Sequence, residues 1–485
     1  MSALAATFRE LSEFESSVPY ELLPFRFLRL DRDRYVATNA AGQHVVLSDA
    51  TLRALVEHRL ISQDGDYRNL EARHFLSTSG RETHLELLAA QYRTRQSILP
   101  ELAELHLFVV TLRCDHTCQY CQVSRVSEDR QAFDMSEATA DRAIELVLRS
   151  PATELKIEFQ GGESLLNFPL IRHIVLRSKA RAAGRRLHFV AATNLSPLTD
   201  EMLDFFAEHR VFVSTSLDGP PALHNRNRPR PGQDAHRRTI EGIERCRSRL
   251  GPDAVSALMT CTAESLSQPE AIIDEYVAHG FREIFLRYIS PYGFAVRSTR
   301  KIGYETEQFL EFYRRGLAHI LALNQRGTRF REIYASILLR RILSSYPTGY
   351  VDLRSPTGAG LGAMVYNYDG DVYSADEGRM LAEMGDTTFR LGNVHRDSWE
   401  SIFRETSLLP TAHATMTEGI PGCCDCAFQP YCGSDPVFHH ATQRDALGHR
   451  PSSAFCRRNM EIMRHLIRLL EDDPAAAAVL RSWAA

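Results

Sequence analysis

The sequence predicts an α/β protein built around a partial (βα)6 TIM-like barrel, with a small N-terminal α+β domain and a C-terminal cysteine-rich domain. Two observations support this fold class. Apolar, β-branched runs alternate with amphipathic stretches between residues 106 and 290, as strands and helices of a parallel barrel do. Of the ten cysteines, three lie at 114–121 and five at 423–456, and only Cys246 and Cys261 stand apart as predicted core thiols.

The first predicted domain covers residues 1–104. Its segment 20–75 contains short apolar runs joined by Asn/Gly turns, followed by the helix-like TLRALVEHRLI. Residues 82–104 have a helical pattern that links this α+β unit to the barrel.

The barrel is predicted at 105–303. Six runs read as its buried strands: HLFVVTLR (106–113), KIEFQGGE (156–163), LHFVAATN (187–194), VFVSTSLD (211–218), SALMTCT (256–262) and EIFLRYIS (283–290). Stretches such as SEATADRAIELVLRS open on a serine cap and predict the intervening helices. Such barrels have their active sites at the C-terminal ends of the strands. We therefore expect the cysteines, glycines and carboxylates that follow the strands to lie together at that end of the barrel.

The chain beyond the barrel is predicted as a helical bridge, 304–350, and a cysteine-rich domain, 351–485. The stretch VYNYDGDVYS in the second of these predicts a hairpin that turns at Asp369 and Gly370.

Composition narrows the function classes. The 485 residues include 57 Lys plus Arg and 61 Asp plus Glu, a net charge of −4, which does not point to nucleic acid or an anionic membrane surface. The sequence has no apolar run long enough to span a bilayer, and its N-terminus lacks the basic residues followed by an apolar run that a signal peptide has. A cytoplasmic location is therefore expected. In that compartment clustered cysteines indicate metal binding rather than a disulfide framework.

The first cysteine group has the spacing C-x3-C-x2-C, formed by Cys114, Cys118 and Cys121 on a loop that leaves the first strand. Three thiolates suit a cubane iron–sulfur cluster whose fourth iron stays open to another ligand. A zinc knuckle or a chance cluster is the alternative, although zinc usually takes four ligands.

With Tyr120 before the third cysteine, this motif resembles that of the radical S-adenosylmethionine (SAM) superfamily. The resemblance implies that SAM binds the open iron. It also implies that an electron from the cluster cleaves SAM, which gives a 5′-deoxyadenosyl radical. It also implies that residues at the strand ends hold SAM. The expected cofactor-binding residues are Tyr120, Gln160, Gly161, Gly162, Glu163, Asn194, Ser216 and Asp218. The alternatives are ordinary turns, caps and a core aromatic.

The second cysteine group comprises Cys423, Cys426, Cys432 and Cys456, whose spacing alone leaves zinc and iron–sulfur both open. It resembles the SPASM extension of radical SAM enzymes that modify ribosomally made peptides and proteins, which implies iron–sulfur. Where family members carry ligands of a nearer auxiliary cluster, this chain has Thr357, Ala375 and Pro436. We therefore expect two [4Fe-4S] clusters in all, one auxiliary, with Cys424 as a bystander.

Asp376 is the candidate catalytic base, at the end of the predicted hairpin. Sulfatase-type maturases carry an aspartate at this place, so the resemblance implies a general base. A carboxylate in a half-dry pocket has a raised pKa and can accept a proton near neutral pH. Glu377 is the alternative base, and a cap or turn role for Asp376 is the alternative function.

Longer stretches, among them FQGGESLLNF and CAFQPYCGSDPVFHH, resemble the His-Xaa-Ser system radical SAM maturases from about residue 20 to 470. This resemblance implies removal of a side-chain β-hydrogen from a precursor peptide and an intramolecular carbon–carbon cross-link of the cyclophane type. It implies a leader bound by the N-terminal unit, which is otherwise a structural cap, and an electron donor such as flavodoxin or ferredoxin. The alternatives are an anaerobic sulfatase-type maturase that oxidises Ser or Cys and a non-catalytic peptide-binding scaffold.

Overall fold

The structure is a computed structural model that describes residues 19–78, 80–121, 129–404, 406 and 408–484. The chain divides into two compact units. The smaller unit contains residues 1–96 and 425–430, and the larger contains 97–424 and 431–485. The finer boundaries expected at 104, 303 and 350 stay predictions.

The smaller unit is the α+β unit that the sequence predicts. Its elements are β1 (Glu21–Leu22), β2 (Phe25–Arg29), β3 (Arg34–Asn39), β4 (His44–Ser48), α1 (Asp49–Val56), α2 (Gly65–Ala72), β5 (Leu76–Ser77) and α3 (Glu82–Arg95). Strands β2, β3 and β4 form an antiparallel sheet in that order, and β1 pairs with β5. Helix α1 begins where the Ser48 side chain accepts the Thr51 N–H at 3.0 Å. The buried core of the smaller unit includes Leu55, Leu70 and Phe75.

The segment 425–430 is part of this smaller unit although it follows the unit by more than three hundred residues. The Thr38 hydroxyl donates to the Ala427 carbonyl at 2.6 Å, and Arg95 donates to the Pro430 carbonyl at 3.2 Å. Cys426 therefore lies in a different unit from Cys423, Cys432 and Cys456.

The larger unit begins with the barrel strands and their helices. These are β6 (Leu105–Thr111), α4 (Arg130–Phe133), α5 (Glu137–Val147), β7 (Glu154–Gly161), α6 (Phe168–Arg181), β8 (Arg186–Ala192), α7 (Asp200–His209), β9 (Val211–Ser216), α8 (Pro221–Asn227), α9 (Ala235–Leu250), β10 (Val255–Leu258) and α10 (Pro269–Ala278). The five strands pair in parallel in the order β10-β9-β8-β7-β6. Six of the seven residues of β6 are buried because both faces of a parallel sheet are covered. The predicted Ser136 cap is confirmed, since its side chain accepts the Thr139 N–H at 3.1 Å.

The sixth predicted strand is present but short. Strand β11 (Glu283–Ile284) pairs with β12 (Arg331–Glu332) in a separate two-stranded sheet. Beyond it, the buried Glu332 carboxylate accepts the Leu286 N–H at 3.1 Å, a donor that a neighbouring strand would otherwise use. The Cys261 N–H donates to the Arg287 carbonyl at 2.9 Å, so this segment still runs beside the end of the fifth strand.

The predicted hairpin is confirmed and extends the barrel sheet. Strand β14 (Asp371–Tyr373) pairs antiparallel with both β13 (Ala363–Tyr366) and β15 (Arg390–Asn393). Strand β13 also pairs in parallel with β6, which makes the sheet eight-stranded. Helix α15 (Asp376–Ala382) follows the hairpin and begins with the candidate base, Asp376. The pairing of β13 with β6 therefore places this base beside the first barrel strand.

Helices make up most of the rest of the larger unit. They are α11 (Phe294–Arg297), α12 (Thr299–Ile302), α13 (Thr306–Gln325), α14 (Ile333–Leu343), α16 (Trp399–Arg404), α17 (Leu408–Ala414), α18 (Pro436–Gln443), α19 (Ala454–Asp472) and α20 (Pro474–Trp483). Among the described residues, no helix combines the length and apolar character that crossing a bilayer requires.

Candidate active site

A cavity of about 590 Å³ lies on one face of the barrel sheet in the larger unit. Its lining includes the alternate residues Lys156, Glu158 and Gln160 of β7, as expected where side chains alternate between the two faces of a strand. Six residues predicted from the sequence line it: Gln160, Gly161, Gly162, Asn194, Ser216 and Asp376. The cavity thus brings the strand ends of the barrel together with the start of α15.

The first cysteine group forms a loop of three thiols without a disulfide. Cys114, Cys118 and Cys121 are all half-buried, and the Cys121 N–H donates to the Cys118 carbonyl at 3.2 Å. Burial raises the pKa of Cys118 to about 11 and, with the nearby Glu163 carboxylate, also raises the pKa of Cys114. Bound iron would hold these thiols as thiolates. The three donors fit a cluster with one iron open.

Backbone from two distant segments holds the cysteine loop in place. The Thr117 N–H donates to the Pro229 carbonyl at 2.7 Å, and the Gln119 N–H donates to the Asn227 carbonyl at 3.2 Å. The Phe294 N–H donates to the Cys121 carbonyl at 2.8 Å. The sequence carries no motif for these supports because they act through main-chain atoms, which any residue type supplies.

Gly161 and Gly162, at the end of the second barrel strand, allow β6 and β7 to approach closely. Gly161 has a φ of +142°, and a Cβ added there would lie 1.9 Å from the Thr111 carbonyl oxygen. A Cβ on Gly162 would lie 2.2 Å from the Arg113 carbonyl oxygen. The Gly162 N–H also donates to the Thr111 carbonyl at 2.9 Å. Only glycine fits at either position.

A Gly161→Ala variant should therefore fold poorly. The methyl group meets main-chain atoms that cannot rotate away, so we expect the apparent thermal midpoint to fall by roughly 5 °C or more. Gly184→Ala is the matched control, because Gly184 also has a positive φ, +86°, with nothing within 4 Å of an added Cβ. Thermal unfolding of both variants measures the difference, and equal losses would show that close packing at Gly161 contributes nothing beyond backbone strain.

Glu163 lies behind the cavity wall rather than in it. Its carboxylate is fully buried and accepts the Thr193 hydroxyl at 2.6 Å, the Asn194 N–H at 2.6 Å and the Leu165 N–H at 3.0 Å. Burial raises the pKa of Glu163 to about 7, although these donors oppose the rise. The carboxylate orients Asn194, which lines the cavity, whereas a direct contact of Glu163 with SAM stays a prediction.

Tyr120 and Asp218 likewise lie outside the cavity lining and connect to it through a third residue. The buried Tyr120 hydroxyl donates to Asp218 Oδ2 at 2.6 Å and accepts from Arg228 at 2.8 Å. Arg228 lines the cavity, so this chain of contacts joins the cysteine loop, the end of β9 and the cavity wall. Sequence reasoning missed Arg228, since a lone arginine after α8 belongs to no recognisable motif.

The candidate bases differ in their surroundings, although both line the cavity. Asp376 accepts from the Nε of the buried Arg379 at 3.0 Å, an ion pair that occupies its carboxylate. Burial, together with the carboxylates of Asp352, Asp376 and Asp435, raises the pKa of Glu377 to about 8. The geometry therefore favours Glu377, which the sequence placed second, because the carboxylate of Asp376 is engaged in the ion pair with Arg379.

Glu377 also faces a second, smaller cavity of about 80 Å³. Asp352 and Asp435 line it, and burial raises the pKa of both, that of Asp435 to about 7. Arg287 and Arg458 line it as well and lower the pKa of Asp352 by their positive charge. This pocket can therefore hold carboxyl groups that change protonation near neutral pH.

Three cysteines of the second group lie close enough to interact electrostatically. Cys432 and Cys423 both raise the pKa of Cys456, which burial carries to about 12. Burial also raises the pKa of Cys423, and the Arg450 guanidinium opposes this rise. Three neighbouring thiols in one unit are the kind of donors that hold an iron–sulfur centre. The inclusion of Cys426 stays a prediction from its spacing.

Comparison with known proteins identifies the barrel. Residues 108–276 match the model of the radical SAM superfamily. An uncharacterized protein of Methanothermobacter thermautotrophicus is 28% identical over 177 residues, which are 36% of this chain and 64% of that protein. A serine-type anaerobic sulfatase-maturating enzyme of Bacteroides thetaiotaomicron is 26% identical over 138 residues, 28% of this chain and 33% of that enzyme. The chain thus spans less than two thirds of the length of either relative.

Two solved structures share the fold at low identity. Native anSMEcpe with bound AdoMet superposes with a TM-score of 0.61 at 16% identity, covering 78% of this chain and 99% of that one. SuiB of Streptococcus suis bound to precursor peptide SuiA superposes with a TM-score of 0.54 at 12% identity, covering 90% and 99%. The predicted fold class is therefore confirmed: a radical SAM partial barrel with small N-terminal sheets and a C-terminal cysteine-rich region.

Proposed function

We propose that this chain, whose residues 108–276 form a radical SAM domain, is an enzyme that cross-links a ribosomally made precursor peptide. One observation carries the proposal. A single cavity joins the strand-end residues predicted to hold SAM to the carboxylate of Glu377, whose pKa is raised to about 8. A cofactor site and a proton acceptor thus open onto the same space, as removal of hydrogen from a bound peptide requires.

The cofactor supplies the radical and the chain supplies its surroundings. A [4Fe-4S] cluster on Cys114, Cys118 and Cys121 would give the electron that cleaves SAM to a 5′-deoxyadenosyl radical. Gly161 and Gly162 present bare backbone to the cavity, where a ligand can approach closely. Asn194 and Ser216 offer polar side chains from the neighbouring strand ends.

The proposed reaction joins two residues of the peptide by a carbon–carbon bond. A hydrogen atom passes from a side-chain β-carbon to the 5′-deoxyadenosyl radical, which becomes 5′-deoxyadenosine, and that carbon then bonds to a neighbouring aromatic or imidazole ring. The ring must then lose one proton and one electron, so that two hydrogens are lost in total. Glu377 accepts the proton, since its carboxylate faces the cavity and its pKa is raised by burial.

The electron calls for a second redox centre, and the second cysteine group is proposed to hold it. Cys423, Cys426, Cys432 and Cys456 would bind one auxiliary [4Fe-4S] cluster, and a ferredoxin or flavodoxin would exchange electrons with the enzyme. Packing around the missing ligands supports a single auxiliary cluster. Ala359, Ala375 and Val437 belong to one buried apolar cluster with Phe389, and none of these four side chains has an atom that can bind iron.

The smaller unit is proposed to bind the leader of the precursor peptide. Its sheet ends in β2 on one side and β4 on the other, and an extended leader could add a strand to an edge. SuiB, which shares the fold of this chain, was solved bound to its precursor peptide.

Oxidation of a serine or cysteine is the second candidate function. The similarity to a serine-type sulfatase-maturating enzyme favours it, as does the carboxylate pair at the start of α15. Serine oxidation to an aldehyde also removes two hydrogens, so mass alone does not separate it from a cross-link. Reactivity does, because only an aldehyde condenses with hydroxylamine.

The proposed function predicts a specific product from a precursor peptide encoded beside this gene. After anaerobic reconstitution, with SAM and reductant, we expect a mass loss of about two hydrogens, no reaction with hydroxylamine and no fragmentation between the joined residues. An aldehyde would support the second candidate instead. If no 5′-deoxyadenosine forms with any reductant, the radical proposal fails and a peptide-binding scaffold replaces it.

A further inference from the structure

Two histidines and a glutamate converge on one point between α9 and α10, apart from the residues that line the cavity. The Nε2 atom of His236 lies 2.7 Å from Glu275 Oε1, and the Nε2 atom of His279 lies 3.0 Å from the same oxygen. One ligand atom from each residue lies within 4.8 Å of the other two. Neither cysteine group nor the candidate base is part of this set.

The three side chains are held in place by their elements. Glu275 and His279 are four residues apart at the end of α10, a spacing that places them on one face. His236 stands in the first turn of α9, where its N–H donates to Asn225 Oδ1 at 2.8 Å. The side chains of His236, Glu275 and His279 are only 11%, 16% and 27% exposed, so little freedom is lost on binding an ion.

Hydrogen bonding alone explains this arrangement less well than metal binding does. A carboxylate offers two oxygens, and two imidazole donors that only needed acceptors would be free to use one each. Here both ring nitrogens approach the same oxygen. Convergence of two nitrogens and one oxygen is typical of a two-histidine, one-carboxylate metal site.

A neighbouring histidine supplies a second observation. The ring of the buried His224 lies 5.6 Å from that of His236. Its Nδ1 accepts the Asp218 N–H at 3.2 Å, which leaves the ring proton on Nε2, and Nε2 is buried with no partner among the described residues. An oxygen on the open position of a metal is the kind of acceptor that this nitrogen lacks.

We propose that His236, Glu275 and His279 bind a divalent transition metal ion, with zinc as the probe, and leave its fourth position to water. Tetrahedral zinc with ligand bonds of about 2.0–2.2 Å sets its ligands roughly 3.3 Å apart, so the two nitrogen–oxygen separations need to grow by roughly 0.3–0.6 Å. Each imidazole must present its Nε2 lone pair and carry its proton on Nδ1.

The position of the site assigns it a structural role. The ion would join the start of α9 to the end of α10. The backbone carbonyls that hold the cysteine loop, those of Asn227 and Pro229, lie at the end of α8 and in the segment that leads from α8 into α9. Metal binding should therefore stabilise the support of that loop without entering the reaction. This inference does not depend on the proposed function, because metal content is measured without substrate.

The test uses the full chain with its iron–sulfur clusters reconstituted, so that the cysteines are occupied when zinc is added. We expect one zinc per chain after gel filtration, and nitrogen and oxygen but no sulfur neighbours in zinc X-ray absorption. Glu275→Gln, which keeps volume and hydrogen bonding, should weaken zinc binding at least about tenfold in titration calorimetry, and His236→Ala should weaken it further.

His319→Gln is the matched control. His319 of α13 pairs with Asp274 of α10 at 2.7 Å, but no third ligand joins them in the described part of the chain. Zinc affinity should be unchanged in this variant. Failure to retain zinc, sulfur neighbours in the absorption spectrum, or equal affinity in Glu275→Gln and the parent protein would each overturn the proposal, and 5′-deoxyadenosine formation reports whether each variant folds.

Discussion

A Cys114→Ala variant is expected to lose reductive SAM cleavage altogether, and its iron content should fall from about eight to about four per chain. Cys114 is one of three thiols in the loop that leaves β6, and no other described cysteine interacts with this loop to replace it. Two thiols cannot hold a cubane with a single open iron. Iron analysis and 5′-deoxyadenosine formation with dithionite, both under anaerobic conditions, measure the two losses.

Two further variants make this result specific. Cys246→Ala removes a fully buried thiol from α9 that belongs to neither cysteine group, so iron content and SAM cleavage should match the parent protein. Cys456→Ala should lose the other four irons and keep SAM cleavage, because its thiol interacts with Cys423 and Cys432 instead. SAM cleavage that survives Cys114→Ala would refute the assignment of the radical cluster, and about twelve irons in the parent protein would refute a single auxiliary cluster.

Local patterns predicted the positions of these groups because each lies within one strand and the loop after it. The cysteine loop follows β6, and Gly161, Asn194 and Ser216 end or follow the next strands as the alternation of strands and helices requires. All three line the cavity, because parallel strands bring their C-terminal ends to one edge.

What the sequence could not predict depends on pairings between distant segments. Strand β13 joins β6 across more than 250 residues, and a four-residue apolar strand gives no signal of its partner. Glu163 follows the correct strand, yet its side chain turns to Thr193 and Asn194. Strand spacing locates a residue along the barrel but does not tell which neighbour takes its hydrogen bonds.

The sequence also could not decide which of the two adjacent carboxylates, Asp376 or Glu377, is the better candidate base. Asp376 and Glu377 are adjacent in sequence, so no pattern separates them. The buried guanidinium of Arg379 does, since it stands three residues later in α15 and pairs with Asp376. Glu377 is left among carboxylates, where its protonated form is stabilised.

A Glu377→Gln variant is therefore expected to lower product formation by about 10²–10⁴-fold while 5′-deoxyadenosine continues to form. Glutamine keeps the size of the side chain but cannot accept the proton, so SAM cleavage becomes uncoupled from product. The ratio of product to 5′-deoxyadenosine measures this uncoupling. Asp376→Asn should lower the ratio much less, because Arg379 already occupies that carboxylate.

The pH dependence of the ratio of product to 5′-deoxyadenosine also tests whether Glu377 is the base. Only the deprotonated carboxylate of Glu377 accepts a proton, and its pKa is raised to about 8, so the product ratio should rise with pH and level off above about 8. Asp352, Asp376 and Asp435 surround Glu377, and their ionisation keeps this pKa high rather than lowering it. In Glu377→Gln the rise should disappear.

A matched control separates proton acceptance from damage to the helix. Glu383 caps the same helix, is also partly buried with a raised pKa, and does not line the cavity. Glu383→Gln should keep both the product ratio and its rise with pH. A flat profile in the parent protein, or equal losses in Glu377→Gln and Glu383→Gln, would remove Glu377 from the reaction. If Asp376→Asn alone abolished the product, the base would be Asp376, and Arg379 would have to move away from it when the peptide binds.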